Sequence, residues 1–413
     1  MAGKPTIQDV FMQHFDEVCQ SGKLSAPQQR AAQAILSCRS PAMGGHEQRC
    51  PDGHFVRTQY HSCKHRSCPT CAEKAKHEWL DKEQSRLLLC DHFHAIFTVP
   101  HELLGLWRYN RRAFTGILFD AVRDTLLQLL GQERHLGARP GIVMALHTWG
   151  RTLNQHPHIH CLVTAGGMTA DGQWRGVAGD YLLPAAVVKA VYRGKLLAYL
   201  TMAVHEHRLS PPGADASDSI ESMLRRAAAK KWNVRIESRY GHGRGVTKYL
   251  SRYVRGGPIA NTRIVDCHKG TVRFRYRDHR DGKSKVRTLA ASRFLEQLLW
   301  HVPEPGQHHV RHVGLYAHSC KAQREACRLQ IDPGAQPVQE HTSPNWQGYL
   351  RAAGAAHHTA CPHCGRALVR GLSIPHRRRG RQNSPTRSVP RPPRAGPCAT
   401  RRSTGTAGPR AAP

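Results

Sequence analysis

The stretch "NQHPHIHCLVTAGG", residues 154–167, alternates histidines with other residues, continues as an apolar run and ends in two glycines. Alternation with a period of two places His156, His158 and His160 on one face of an extended strand. The intervening apolar residues point to the opposite face, towards a core. Pro157 disfavours a helix through this stretch and favours an extended entry. The pattern therefore predicts a half-buried strand that carries several imidazoles on one face.

A metal ion is the physical reason to gather imidazoles on one face. Neighbouring imidazoles repel one another when they are protonated, whereas neutral imidazoles are common metal ligands. The alternative is a surface strand in a histidine-rich protein, because the chain contains 29 histidines and a single one carries little weight. The rest of the sequence has to decide between the two interpretations.

The composition indicates a polyanionic partner. The chain of 413 residues has a formal net charge of +32, and nucleic acid is the usual partner of so basic a protein. Ten arginines and no acids lie in residues 371–413, but most of the positive charge lies in the preceding residues. A basic folded body favours nucleic-acid binding over a basic localisation arm alone.

Several other classes of protein are disfavoured. No apolar run approaches 18 residues, so we expect no membrane span, and residues 1–18 lack the apolar core of a signal peptide. We therefore expect a protein of a reducing compartment such as the cytoplasm, whose clustered cysteines bind metal. The chain lacks the G-x-x-x-x-G-K-[ST] motif of P-loop ATPases.

The hydrophobic pattern predicts an α+β fold in four parts. We expect a helical N-terminal segment at 1–45, a cysteine- and histidine-rich module at 46–90, a domain of mixed strands and helices at 91–330, and a poorly structured basic tail at 331–413. Strands and helices in irregular order favour an antiparallel sheet with flanking helices. The predicted elements are a helical region at 6–40, strands at 92–100, 141–150 and 271–278, and helices at 110–131 and 185–206.

A cysteine cluster predicts a structural zinc ion between residues 46 and 71. The proposed thiolate ligands are Cys50, Cys63, Cys68 and Cys71, with His46 and His54 as spare candidates. The alternative is a set of free buried cysteines with chance histidines. Inside this module, Lys64 and Arg66 are expected to face a phosphate backbone, so DNA binding is its expected purpose.

A second cysteine pair, Cys361 and Cys364, has the spacing of half a zinc site. No second pair is obvious nearby, although Cys320 and Cys327 are possible partners. This pair lies within the predicted basic tail.

The stretch "GVTKYLSRYVRGG", residues 245–257, places Tyr249 and Tyr253 one helical turn apart on one face. Two aromatics at this spacing usually pack into a core. The surrounding cations and bordering glycines instead favour a site that approaches a ligand, where cations stabilise a phenolate nucleophile. The basic residues expected to contact DNA there are Lys248, Arg252 and Arg255.

Taken together, these motifs resemble the two-tyrosine HUH transposases of rolling-circle insertion sequences, of the insertion-sequence-91 type, where HUH means His-hydrophobic-His. The motifs are the cysteine knuckle, "HFHAIFTVP", "LHTWG", "HPHIHCLV", "YLSRY" and "RHVGLY", in an order that covers about residues 40–318. The resemblance implies an HUH endonuclease domain with a central antiparallel sheet, preceded by a zinc-binding domain. It also implies that His158 and His160 form the HUH motif and that Tyr249 and Tyr253 are the catalytic pair. Such enzymes cut one DNA strand, stay joined to its 5′ end and leave a free 3′-OH.

The chain departs from the family pattern at two positions in the zinc module. Gly53 stands where the family tends to have the second cysteine of the first knuckle, and Ser67 stands where it tends to have histidine. These departures bear on which residues hold the zinc ion.

The resemblance gives the histidine strand a role: His158 and His160 hold a divalent ion, Mg²⁺ or Mn²⁺, that polarises the scissile phosphate. Two histidines leave the coordination incomplete. His147 is the expected third ligand, because the spacing H-x10-H-x-H is similar to the three-histidine pattern of conjugative relaxases. A strand around 141–148 that returns antiparallel beside 158–164 would bring the three together. The alternative for His147 is a hydrogen-bonded structural histidine.

The expected partner is DNA, mainly the single-stranded ends of the mobile element. A plasmid relaxase or replication-initiation nickase with the same site is an alternative function. A non-catalytic zinc-dependent DNA-binding protein is another, but it leaves the histidine strand and the tyrosine pair without a purpose. A transposase that uses an acidic triad is disfavoured, because the chain has only 29 acidic residues and none cluster suggestively near the basic core.

Overall fold

The computed structural model describes residues 4–20, 24–212, 219–241, 257–278, 280–335, 348–350, 354 and 356–376. The α-helices in these ranges are α1 (Ile7–Gln20), α2 (Ala26–Ser37), α3 (Ala72–Arg86), α4 (Leu104–Tyr109), α5 (Arg111–Leu130), α6 (Ala185–His205), α7 (Ile220–Ala228), α8 (Ala291–Leu299) and α9 (Lys321–Ile331). The strands are β1 (Gly45–Arg49), β2 (Val56–Tyr60), β3 (His92–Thr98), β4 (Arg139–Trp149), β5 (Gln155–Met168), β6 (Trp174–Gly176), β7 (Val234–Ile236), β8 (Ile264–His268), β9 (Thr271–Arg277), β10 (Ser284–Ala290), β11 (Val310–Gly314) and β12 (Val369–Ile374).

The largest sheet in the described residues is antiparallel and has the strand order β11-β4-β5-β3-β7, and β6 pairs with the end of β5. We call it the central sheet. The two long strands β4 and β5 form a hairpin in which His147 lies opposite His158. The glycines that end the histidine stretch allow close approach of neighbouring backbones. A Cβ on Gly167 would lie 2.6 Å from the carbonyl oxygen of Arg139, and one on Gly166 would lie 2.8 Å from that of Arg175.

Helices cover one face of this sheet. The side chains of Ile159, Cys161 and Val163 alternate along β5 and are fully buried against α5 and α6. This main core also contains the Phe93 and Phe97 rings of β3. The opposite face of the sheet carries the histidines, and further along it a smaller apolar cluster forms around Leu162 and Tyr316. The alternation of β5 thus separates an apolar face from a face that carries imidazoles.

Two smaller antiparallel sheets complete the described structure. One has the order β12-β1-β2, and the other has the order β10-β9-β8. Helices α1, α2 and α8 pack against the second of these sheets in a separate core that includes Phe11, Phe274 and Phe294. This core also contacts Cys68, so the N-terminal helices support the cysteine cluster described below.

The structure confirms the predicted α+β class and most of the predicted elements. The predicted strands at 92–100, 141–150 and 271–278 match β3, β4 and β9, and the helices at 110–131 and 185–206 match α5 and α6. The predicted helical region at 6–40 comprises α1 and α2, with a capping box at Ser25 that starts the second helix. Among the described residues, no helix has the length and apolar character needed to cross a membrane.

The C-terminal part differs from the expected poorly structured tail. Strand β12 pairs along β1 in antiparallel register, with Gly45 opposite Ile374 and Arg49 opposite Val369. Residues up to 376 therefore join the sheet of the N-terminal module, because β1 offers them a free edge. Residues 377–413 lie outside the described residues.

Candidate functional site

Three histidines meet on the open face of the central sheet. His147 comes from β4, while His158 and His160 come from β5, and one ring nitrogen of each lies within 4.8 Å of the others. The ring centroids of His147 and His160 are 4.1 Å apart, and those of His158 and His160 are 4.8 Å apart. The antiparallel pairing of His147 with His158 accounts for this convergence. The sequence predicted this trio, and the structure brings it together.

Burial keeps these imidazoles neutral at physiological pH. His147 and His160 are each 2% exposed, and burial, followed by the charges of the neighbouring histidines, holds the pKa of both well below 6.5. Burial, with the His156 charge as the next cause, lowers the pKa of His158 to about 3. A neutral imidazole keeps a lone pair on one nitrogen, which a metal ion requires.

A hydrogen bond orients the His158 ring. The Nδ1 atom of His158 lies 2.6 Å from the carbonyl oxygen of His156. Only a protonated Nδ1 can donate to this oxygen, so the lone pair of the neutral ring lies on Nε2. His156 is not part of the trio, but its carbonyl oxygen fixes the tautomer of His158.

His94 on β3 is a residue that the sequence analysis missed. Its Nε2 atom lies 2.8 Å from Nδ1 of His160, and the two rings stack with centroids 5.0 Å apart. Burial, followed by the Arg235 charge, lowers the pKa of His94 to about 4. The signal was present in "HFHAIFTVP", where His92 and His94 alternate as His158 and His160 do.

The predicted nucleophiles and three predicted DNA contacts fall in residues 242–256, which lie outside the described residues. They are Tyr249, Tyr253, Lys248, Arg252 and Arg255. The chain on either side is described. Tyr240 bridges to His92 at the sheet edge, with its ring centroid 6.5 Å from that of His94. At the other end, a Cβ on Gly257 would lie 3.4 Å from the carbonyl oxygen of Ser67.

The cysteine cluster of the N-terminal module differs from the predicted set by one residue. Cys63, Cys68 and Cys71 are joined by Cys38 instead of Cys50, and the four sulfurs lie within 4.8 Å of one another. The Sγ atom of Cys71 is 3.3 Å from that of Cys38 and 3.6 Å from that of Cys63. Cys38 follows the last turn of α2, so the helical segment ends at the cluster. All four are free cysteines, and four thiolates at such distances suit a tetrahedral zinc ion.

The remaining predicted zinc candidates lie elsewhere. Cys50 and His54 lie together in a second cluster with Cys361 and Cys364. His46 on β1 lies beside His61, with ring centroids 5.6 Å apart. The other pair considered, Cys320 and Cys327, is buried at the start and in the middle of α9, where Cys327 packs in the apolar cluster around Tyr316.

The predicted DNA contacts Lys64 and Arg66 lie in the cysteine knuckle, the turn between Cys63 and Cys68 of the first cysteine cluster. Lys64 is exposed and has a positive φ of 53°, which places it in the tight turn between Cys63 and Cys68. The charge of Arg66 contributes, after burial, to lowering the pKa of His309 to about 3, and the His309 charge in turn acts on His147.

Comparisons with known proteins match both regions. A family described as "Putative transposase" matches residues 141–324, and one described as "Transposase zinc-binding domain" matches residues 10–99. The chain is 33% identical over 332 residues to the "Putative transposase y4qJ" of Sinorhizobium fredii, which covers 78% of this chain and 83% of that protein. It is 30% identical over 302 residues to the transposase for insertion sequence element IS801 of Pseudomonas savastanoi pv. phaseolicola, covering 68% of each. The chain belongs to this insertion-sequence transposase family.

The matched regions contain two of the sites described above. The first cysteine cluster lies within the zinc-binding domain, and the histidine trio lies within the transposase region, as do the two sequence-predicted tyrosines. A solved structure, the conjugative relaxase TrwC in complex with oriT DNA in its metal-bound form, also matches the transposase. That match has 16% identity and a TM-score of 0.23, and it covers 39% of this chain and 71% of the other.

Proposed function

We propose that this transposase cuts and rejoins single DNA strands through a covalent 5′-phosphotyrosine intermediate. The observation that carries the proposal is the trio of buried His147, half-buried His158 and buried His160, whose ring nitrogens converge within 4.8 Å. In a purely structural core, apolar residues would pack better than a group of neutral imidazoles, because removing polar nitrogens from water costs free energy. Such a group fits a divalent metal ion.

The donor set is suited to that ion. His147, His158 and His160 would hold such an ion through three nitrogens on paired strands, which would leave it accessible to a substrate, as a catalytic site requires. Mg²⁺ or Mn²⁺ is the proposed ion. When bound, it supplies positive charge that polarises the scissile phosphate and offsets charge in the transition state.

Residues around the trio hold it in place. The carbonyl oxygen of His156 orients His158, and His94 orients His160. The antiparallel sheet fixes the separation between His147 and His158. Ligands on paired strands are held more precisely than ligands on loops, which favours a stable phosphate position.

Tyr249 and Tyr253 are the proposed nucleophiles. The tyrosine hydroxyl loses its proton as its oxygen attacks the phosphorus, the bond from phosphorus to the 3′ oxygen breaks, and the leaving oxygen takes up a proton to give a free 3′-OH. The phosphotyrosine conserves the energy of the phosphodiester, so a later attack by a 3′-OH rejoins DNA without ATP. A second tyrosine permits another cut while the first is occupied.

The described ends of the segment support this role for the tyrosines. The fifteen residues 242–256 follow Tyr240, which lies beside His94, and precede Gly257, which lies beside Ser67 of the cysteine knuckle. The first end therefore lies near the face of the central sheet that carries the histidines, and the second end lies near the zinc-binding domain.

The proposed DNA contacts are the basic residues of the knuckle and of the tyrosine segment. Lys64 and Arg66 come from the zinc-binding domain, while Lys248, Arg252 and Arg255 flank the tyrosines. Cations of this kind neutralise phosphates and position a strand without reading its sequence. The transposase therefore binds single-stranded ends of its element between the two regions.

The test uses the full-length protein and an oligonucleotide that carries the end of the element. We expect a protein–DNA adduct that survives denaturant with single-stranded DNA and Mg²⁺ or Mn²⁺. Chelator should prevent the adduct, and a fully paired duplex of the same sequence should give much less. No adduct under any of these conditions, with DNA binding intact, would contradict the proposal.

A further inference from the structure

A second group of metal-ligating side chains joins two distant parts of the chain. Cys50 and His54 meet Cys361 and Cys364, and their ligand atoms all lie within 4.8 Å of one another. The Sγ atom of Cys50 is 3.5 Å from Sγ of Cys364 and 3.8 Å from Nδ1 of His54. Ligand atoms of a tetrahedral zinc ion with bonds of roughly 2.3 Å lie about 3.8 Å apart. The separations suit a zinc ion, and all three cysteines are free thiols.

The local turns have the form of metal-binding knuckles. The amide of His363 points at Sγ of Cys361 at 3.4 Å, and the amide of His65 points at Sγ of Cys63 at 3.5 Å in the first cluster. The turn at Cys50 closes with the amide of Gly53 donating to the Cys50 carbonyl at 3.0 Å. Gly53 has a φ of +78°, a conformation that favours glycine, and the following residue is His54. His54 therefore stands one residue beyond the glycine, with its Nδ1 atom turned towards Sγ of Cys50.

Contacts independent of any metal hold the two halves together. Strand β12 pairs with β1, and Arg366 forms an ion pair with Asp52 at 2.7 Å. The ring centroids of Phe55 and His363 are 6.4 Å apart. One thiol from each half is buried, with Cys50 2% and Cys361 3% exposed. The cluster is thus formed by the fold and not by one flexible loop.

We propose that Cys50, His54, Cys361 and Cys364 bind a second structural zinc ion. Four protein ligands fill a tetrahedral site, which is the form of a structural and not a catalytic zinc. The ion links residues 361–376 to the N-terminal zinc-binding domain, although its ligands Cys50 and Cys364 are 314 positions apart in the sequence.

The first test is the zinc content of the full-length protein. We expect two zinc ions per folded chain, and one in Cys364→Ser and in His54→Ala. Both ligands are exposed, so these substitutions disturb packing least. Cys19→Ser, which changes another exposed free cysteine, is the matched control and should keep two. One zinc in the folded wild-type protein, or two in Cys364→Ser, would overturn the proposal.

The second test uses a variant that keeps four ligands. His54→Cys should retain two metal ions and stay folded. In the cobalt-substituted protein it should raise the thiolate-to-cobalt absorption, because a site with three thiolates and one imidazole becomes a site with four thiolates. An unchanged cobalt spectrum in His54→Cys would show that His54 does not ligate the ion.

Discussion

The Nε2 atom of His94 lies 2.8 Å from Nδ1 of His160, so two neighbouring strands of the central sheet are joined by an imidazole pair. One ring must donate the proton and the other must accept it. If His160 donates through Nδ1, its Nε2 lone pair is available to a metal ion. His94 is then a positioning residue for the proposed site, although it is not one of the three ligands.

Removing this partner should weaken metal binding more than DNA binding. We expect His94→Ala to reduce Mn²⁺ affinity by about 10- to 100-fold, the usual effect of losing such a partner. Affinity for single-stranded DNA should be unchanged, and His94→Gln, which retains an acceptor, should recover part of the loss. Metal titration of each variant measures this, and equal Mn²⁺ affinity in His94→Ala and wild type would contradict the assigned role.

Loss of a ligand should separate cleavage from DNA binding. We expect His158→Ala and His160→Ala to abolish cleavage while DNA affinity stays within about twofold, because phosphate contacts by lysine and arginine dominate affinity. His147→Ala should behave in the same way. The control is His156→Ala, which keeps the backbone carbonyl that orients His158 and should retain most activity. Parallel loss of binding and cleavage would indicate a structural role for the trio.

The first cysteine cluster should be required for the fold of the zinc-binding domain. Cys38→Ala should release one zinc ion, destabilise the domain and weaken DNA binding, since zinc binding contributes to folding directly. Cys327→Ala is the matched control, because it removes the same group from another fully buried free cysteine and should leave the zinc content unchanged. Zinc analysis and thermal unfolding measure both effects. Full zinc content in Cys38→Ala would restore Cys50 as a candidate for the fourth ligand.

Stability should fall on mild acidification because of a buried histidine outside the metal sites. Burial lowers the pKa of His301 to about 4, and its ring bonds to Thr148 at 3.0 Å and to the Leu153 carbonyl at 3.1 Å. In the unfolded chain this histidine titrates near 6.5, so the unfolded state binds more protons between those values. The free energy of unfolding should therefore decrease as pH falls from about 6.5 to 4, by at most about 3 kcal/mol from this group.

Denaturant unfolding at pH 7 and pH 5 measures that dependence. His301→Gln keeps polar atoms in the site but does not titrate, so its stability should change less between the two pH values. An equal change in the variant and the wild-type protein would assign the pH dependence to other groups.

Periodicity and spacing predicted the central part of the site because its residues are close in sequence. His158 and His160 are two residues apart on one strand, and a hairpin brings His147 opposite His158. Cys38 was missed because it follows a helix, 25 positions before Cys63, in a region that the pattern marked only as helical. The partners of Cys361 could not be found by spacing, because the pairing of β12 with β1 connects opposite ends of the chain. Such contacts depend on the tertiary fold and leave no local signal.

The most direct test of the proposed mechanism identifies the residue that becomes linked to DNA. Full-length protein is incubated with a single-stranded end and Mn²⁺, and the adduct is digested and mapped by mass spectrometry. We expect a nucleotide on Tyr249 or Tyr253, and no adduct in the variant with both Tyr249→Phe and Tyr253→Phe. Those substitutions remove only hydroxyls, so a purely structural pair would lose about 1 kcal/mol of stability and keep its activity. A nucleotide attached to any other residue, or undiminished adduct in the double variant, would contradict the mechanism.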